Sequence, residues 1–80
     1  MKQGKDLVSA NFPCCTPEDS VQQAAELMFE HDCGEIAVVE TEENLNPIGL
    51  ITDRDIACRV VSAGKRPEQT SVGDAMSSLV

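Results

Sequence analysis

Aromatic residues are nearly missing from this sequence: it has no Trp and no Tyr, and Phe12 and Phe29 are its two phenylalanines. Single-stranded nucleic acid is gripped by stacking its bases on aromatic side chains, so that platform is lacking. Positive charge is scarce as well. Six Lys and Arg stand against 14 Asp and Glu, a net charge of −8, whereas a phosphate backbone calls for clustered cations. No nucleic-acid partner is expected. Long apolar runs are absent too; stretches such as Ile36-Ala37-Val38-Val39 fall far short of the roughly 20 residues that span a bilayer, so no membrane association is expected. Met1-Lys2-Gln3-Gly4-Lys5-Asp6 has no apolar segment behind its lysines, so no secretory signal is expected here, and the expected location is cytoplasmic. Cys14, Cys15, Cys33 and Cys58 show no C-x-x-C spacing, so free thiols are expected rather than a disulfide scaffold. Joining His31 and Cys33 to the Cys14–Cys15 pair does not reproduce a common zinc spacing. No Asn or Asp is placed to orient His31 for a cysteine nucleophile. Neither a metal site nor an enzyme is expected.

What is present is the composition of one small folded domain: 80 residues, 41% hydrophobic and 25% charged, with room for one core and not two. Thr16-Pro17-Glu18-Asp19 reads as a helix start, with Thr16 capping, Pro17 at the first helical position and Asp19 reaching back. Val21, Ala24, Ala25 and Met28 then recur at helical spacing, Met28 and Phe29 are expected in the core and not at a cofactor, and Gly34 supplies the stop. Ile36-Ala37-Val38-Val39 is a β-branched run expected to form a strand covered on both faces. Ile48-Gly49-Leu50-Ile51, opened by Pro47, should pair with it as a hairpin. Thr52-Asp53-Arg54-Asp55 can cap a second helix, with Ile56, Ala57, Val60 and Val61 on its buried side, Cys58 a small buried hydrophobe, and Gly64 and Pro67 ending it. If Pro13 to Cys15 adds a short strand, the order is β-α-β-β-α, an α+β fold. Ser71-Val72-Gly73-Asp74 is a further capping box. Asp6-Leu7-Val8-Ser9 near the start is echoed by Asp74-Ala75-Met76-Ser77 near the end, as in one full repeat followed by the opening of a second.

The run "GLITDRDI" from Gly49 to Ile56, preceded by "GEIAVVE" and by "SVQQAAELMFEHDCG", resembles the cystathionine β-synthase (CBS) domain. The resemblance covers about residues 5–64, leaving 65–80 as a linker and the start of a truncated second repeat. "TDRDIACRVV" followed by "GK.P" is similar to small bacterial proteins built from two such repeats. That resemblance implies a small sheet with two helices packed on one face. It also implies pairing with a second copy into a disc-shaped Bateman module, here as a homodimer. By the same resemblance the function would be that of a regulatory, allosteric sensor for an adenosine ligand, AMP, ADP or ATP before S-adenosylmethionine or NAD, with no required cofactor and no catalysis. In the family the adenine lies against the strand here opened by Gly34, Glu35 and Ile36 and against Leu50, and Ala10 should line the same cleft. The family usually has Pro where this chain has Ala37, which restores an N–H beside the expected adenine pocket.

The residues themselves are compatible with that chemistry. A helix N-terminus at Thr52 presents N–H groups and the positive end of a dipole to a phosphate. Arg54 adds a forked cation. Asp55, when ionised, only accepts hydrogen bonds, which suits the two hydroxyls of a ribose and repels phosphate. Thr-x-x-Asp would equally cap a helix in a domain that binds nothing, and Asp55 and Arg59 would then be an ordinary i, i+4 pair worth about 0.3–0.5 kcal/mol. The alternative function is therefore an oligomerisation or protein-interaction domain with a vestigial nucleotide site.

Overall fold

A computed structural model describes residues 13–79. Its elements are β1 (Cys14–Cys15), α1 (Val21–His31), β2 (Glu35–Val39), β3 (Pro47–Thr52), α2 (Asp53–Ile56) with a wider-wound continuation over Ala57–Val61, a single 3₁₀ turn at Pro67–Gln69, α3 (Val72–Ala75) and β4 (Ser77–Ser78). The α+β class and the β-α-β-β-α order hold. Four strands form one sheet in the order β1-β2-β3-β4, with β1 parallel to β2 and the other pairs antiparallel.

The core is what strand alternation and helical spacing bring together. Ile36, Val38 and Ile51 line one face of the sheet without exposure, and Val21, Ala24 and Met28 of α1, Val60 from the second helix, and Val72 and Ala75 of α3 pack on them. The other face, with Ala37, Leu50 and Thr52, is only half-buried. The expectation of a β2 strand covered on both faces is therefore corrected: Ile36 and Val38 are sealed on one face, while on the other Val39 is buried, Ala37 half-buried and Glu35 exposed.

Four local expectations also change. Helix α1 starts at Val21, not at Pro17, because Ser20 and Gln23 form a reciprocated capping box of their own. Thr16 to Asp19 forms a turn, in which the Thr16 N–H donates to Asp19 Oδ2 at 2.9 Å and the Asp19 N–H donates to Thr16 O at 3.1 Å. The stop is Asp32, not Gly34. Asp32 takes the left-handed conformation (φ 53°, ψ 51°), and the Cys33 N–H returns to Met28 O at 3.0 Å, a Schellman ending in which Asp stands for the usual Gly. Gly64 (φ +77°) ends the second helix in the same manner, the Lys65 N–H reaching Val60 O. Phe29 is 88% exposed and Val61 63%, and Cys58 and Ala57 are exposed as well, so of the expected buried side of the second helix only Val60 is sealed and Ile56 half-buried.

Residues beyond Gly64 fold back onto the domain. The Val21 N–H donates to Thr70 O, and the Val72 and Gly73 N–H groups donate to Asp19 O and Pro17 O. β4 then runs along β3, pairing Ser77 with Leu50 and Ser78 with Gly49. Gly49 is required there: a Cβ would stand 2.6 Å from the Ser77 carbonyl oxygen.

Candidate functional site

The hairpin and the helix that follows it converge at one end of the sheet. Register places Glu35 opposite Thr52 and Ala37 opposite Leu50, so all four side chains belong to the open face. Ile36 points the opposite way and is fully buried, so it can offer a ligand only its backbone. Gly34 lies just before β2, where its carbonyl accepts the Asp53 N–H at 2.9 Å and locks the start of β2 to the start of α2. Gly34, Glu35, Leu50, Thr52, Arg54 and Asp55 thus gather around one sheet end, while Ala10 lies outside the described residues.

Thr52 is extended (φ −114°, ψ 164°) and caps α2 reciprocally. Its Oγ1 accepts the Asp55 N–H at 3.0 Å, and Asp55 Oδ2 accepts the Thr52 N–H at 3.1 Å. Asp53, which sequence reasoning did not single out, turns its carboxylate onto the same mouth: Oδ1 accepts the Arg54 N–H at 2.8 Å. The first three amides of the helix are therefore all engaged, by Gly34 O, Asp53 and Thr52. Among the described residues, the Thr52 hydroxyl can still give a hydrogen to a ligand oxygen, since it accepts one bond and can donate one, and the exposed Arg54 guanidinium can donate as well. Asp55 keeps acceptor capacity for hydroxyl hydrogens, and its Oδ1 stands 3.9 Å from Arg59 Nε. Ala37, in the position where the family usually has Pro, spends its N–H on Pro13 O at 3.3 Å, a bond that ties β1 to β2. Strand parity alone would have added Ala37 to the candidates beside Leu50.

Surface cavities lined by the described residues lie elsewhere. One lies between β1 and the β2–β3 loop, at Cys15, Asp19, Val39 and Leu45; another lies around Lys65, Arg66 and Asp74, and a third around Glu18, Ser20 and Glu68. None of the three is lined by Thr52, Arg54 or Asp55. Burial, assisted by the nearby Asp19 and Cys14, pushes the Cys15 thiol from its ordinary 9.0 up to about 12, which keeps it protonated and a poor nucleophile. No group of His, Cys, Asp and Glu among the described residues is arranged to hold a metal ion. No helix among them is long and apolar enough to cross a membrane.

Comparison with known proteins shows the family to which this fold belongs. The CBS domain profile matches residues 5–62. The chain belongs to the CBS domain family. It is 40% identical over 78 residues to the CBS domain-containing protein YhcV of Bacillus subtilis, covering 98% of this chain and 53% of that protein. A putative signal-transduction protein with CBS domains from Burkholderia ambifaria superposes with a TM-score of 0.75 at 31% identity, over 84% of this chain and 47% of the other. A CBS domain protein from Pyrobaculum aerophilum, solved in complex with AMP, shares the fold (TM-score 0.72, 14% identity, 81% of this chain and 48% of the other). The chain spans about half the length of the curated relatives it matches.

Proposed function

We propose that this CBS domain is a regulatory module that binds an adenosine nucleotide of the AMP, ADP or ATP type on the open face of β2 and β3 and catalyses nothing. One observation carries the reading: Thr52, Arg54 and Asp55 present a hydroxyl donor, a cation and an acceptor-only carboxylate at one end of a half-buried apolar strip. The ribose hydroxyls donate to Asp55, and the adenine lies against Leu50 and Ala37 beside the backbone of Gly34, Glu35 and Ile36. The phosphate takes the Thr52 hydroxyl and Arg54, because the helix amides are already spent. The AMP complex of the Pyrobaculum protein, which has the same fold, supports the choice of ligand. Residues 5–64 form one repeat on this reading, and residues 65–80 lead toward a second.

Titration calorimetry with AMP, ATP, NAD and S-adenosylmethionine tests it. AMP or ATP should give heat that Asp55→Ala removes; absence of heat with all four from folded protein overturns the proposal.

A second reading has its own observation. Phe29 and Val61 stand exposed, with Ala57 and Cys58 exposed about one helical turn before Val61, and such apolar surface is what a paired copy would cover. On this reading the domain pairs as a homodimer. Analytical ultracentrifugation showing a folded monomer at high concentration would refute the pairing.

A further inference from the structure

We infer that Arg59 couples the candidate nucleotide site to the C-terminal strand, so that what sits on Asp55 is felt at Met76 to Leu79; the inference rests on the site proposed above for its regulatory meaning. Three contacts carry it. Arg59 Nε faces Asp55 Oδ1 at 3.9 Å, and its Nη1 donates to Met76 O at 3.1 Å and to Ala75 O at 3.4 Å. One forked cation therefore spans the carboxylate that caps α2 beside the candidate site and the carbonyls that end α3. Arginine can do so because its five donors lie in a fixed plane, which a lysine ammonium cannot reproduce.

The segment it holds is the one that closes the sheet. Met76 continues into β4, whose Ser77 pairs with Leu50, a residue of the proposed site, and the Leu79 N–H donates to Ile48 O at 3.1 Å. A ligand seated on Asp55 removes water from the Asp55–Arg59 pair, and an ion pair strengthens as the surrounding dielectric falls. Arg59 is then held more firmly, and its grip on Ala75 and Met76 tightens. Sequence spacing reveals the Asp55–Arg59 pair but not its other end, 16 and 17 residues away.

Amide hydrogen exchange tests this on the whole chain with Asp55→Asn, Arg59→Gln, the double variant and Arg59→Lys. The probes are the Met76 and Leu79 amides, which donate to Val72 O and Ile48 O; amides of the β2–β3 ladder report any global loss of stability. Without ligand, Asp55→Asn should speed exchange at Met76 about twofold, as befits a half-exposed pair. Arg59→Gln should speed it on the order of fivefold through the lost charged hydrogen bonds. The double variant should match Arg59→Gln alone, and Arg59→Lys should fall between Arg59→Gln and the parent. If Asp55→Asn still acts in the Arg59→Gln background, or if the probes move no more than the β2–β3 ladder, the coupling is overturned. With AMP present, exchange at Met76 should slow in the parent and not in Arg59→Gln, even though calorimetry still shows binding. Equal slowing in both overturns the regulatory role. Absence of AMP heat overturns the nucleotide reading alone, because the ligand-free cycle decides the coupling by itself.

Discussion

Two helices of this domain begin with the same device and put it to different use. Ser20 and Gln23 cap α1, and Thr52 and Asp55 cap α2, each pair exchanging hydrogen bonds in both directions. The first cap uses a neutral amide, and the helix behind it buries Val21, Ala24 and Met28. The second uses a carboxylate, carries Arg54 between its two members, and opens onto the half-buried sheet face. Its helix has one sealed residue, Val60. A capping box alone therefore distinguishes nothing. The charge of its fourth member, the exposure of the element behind it and the surface in front of it separate a fold device from a candidate site.

The largest effect that would probe this contrast is alkaline. Cys15 lies close to the turn that precedes the first cap, and its thiol titrates far above its ordinary value. A raised folded pKa stabilises the protein fully below pH 9.0 and loses that contribution as pH climbs toward about 12. Chemical denaturation at stepped pH should show stability falling over that window by up to about 4 kcal/mol, and Cys15→Ala should flatten the decline.

At the second cap, Asp55→Ala should weaken AMP binding on the order of a hundredfold by removing charged hydrogen bonds. Gln23→Ala, its counterpart, should leave the affinity unchanged; equal losses from both would erase the contrast. Ser20→Ala should cost about 1 kcal/mol of stability in urea unfolding and nothing in binding. Gly64→Ala should cost about 1 kcal/mol by the same measurement, since its left-handed backbone stands in open space and only the conformation resists. The smallest effect belongs to Phe29→Ser, expected within about 0.5 kcal/mol at low protein concentration, because so exposed a ring has little core contact to lose.

The hairpin, the second cap and the helical stripe of α1 were legible because each is written in neighbouring residues. Ile36 to Val39 and Ile48 to Ile51 are β-branched runs joined by a short polar turn, and Thr52 and Asp55 meet within one helical turn. What escaped was set by distance. Thr16–Asp19 and Ser20–Gln23 are adjacent, competing boxes. The second begins the helix, and the turn formed by the first leaves Pro17 O and Asp19 O facing Gly73 and Val72, contacts no local pattern contains. The same return of the chain buries Val72 and Ala75 and gives Arg59 its far partners. Asp32 escaped for another reason: Gly is the commoner left-handed residue, and Gly34 stood two places on. Among the candidate site residues, Gly34, Glu35, Leu50, Thr52, Arg54 and Asp55 could be named from the family-like run, whereas Asp53 and Ala37 needed the register and the placement of a carboxylate.

The continuation of α2 over Ala57–Val61 contains a surplus residue, visible where the Ser62 N–H reaches back five positions to Ala57 O at 2.8 Å. Each residue of a regular coil turns the chain by about 100°, but the wider turn absorbs the extra step within itself, as a single-turn π-bulge does. Deleting one residue here would therefore restore the ordinary winding while leaving the bearing toward Pro67, and the last strand's place at the sheet edge, nearly unchanged.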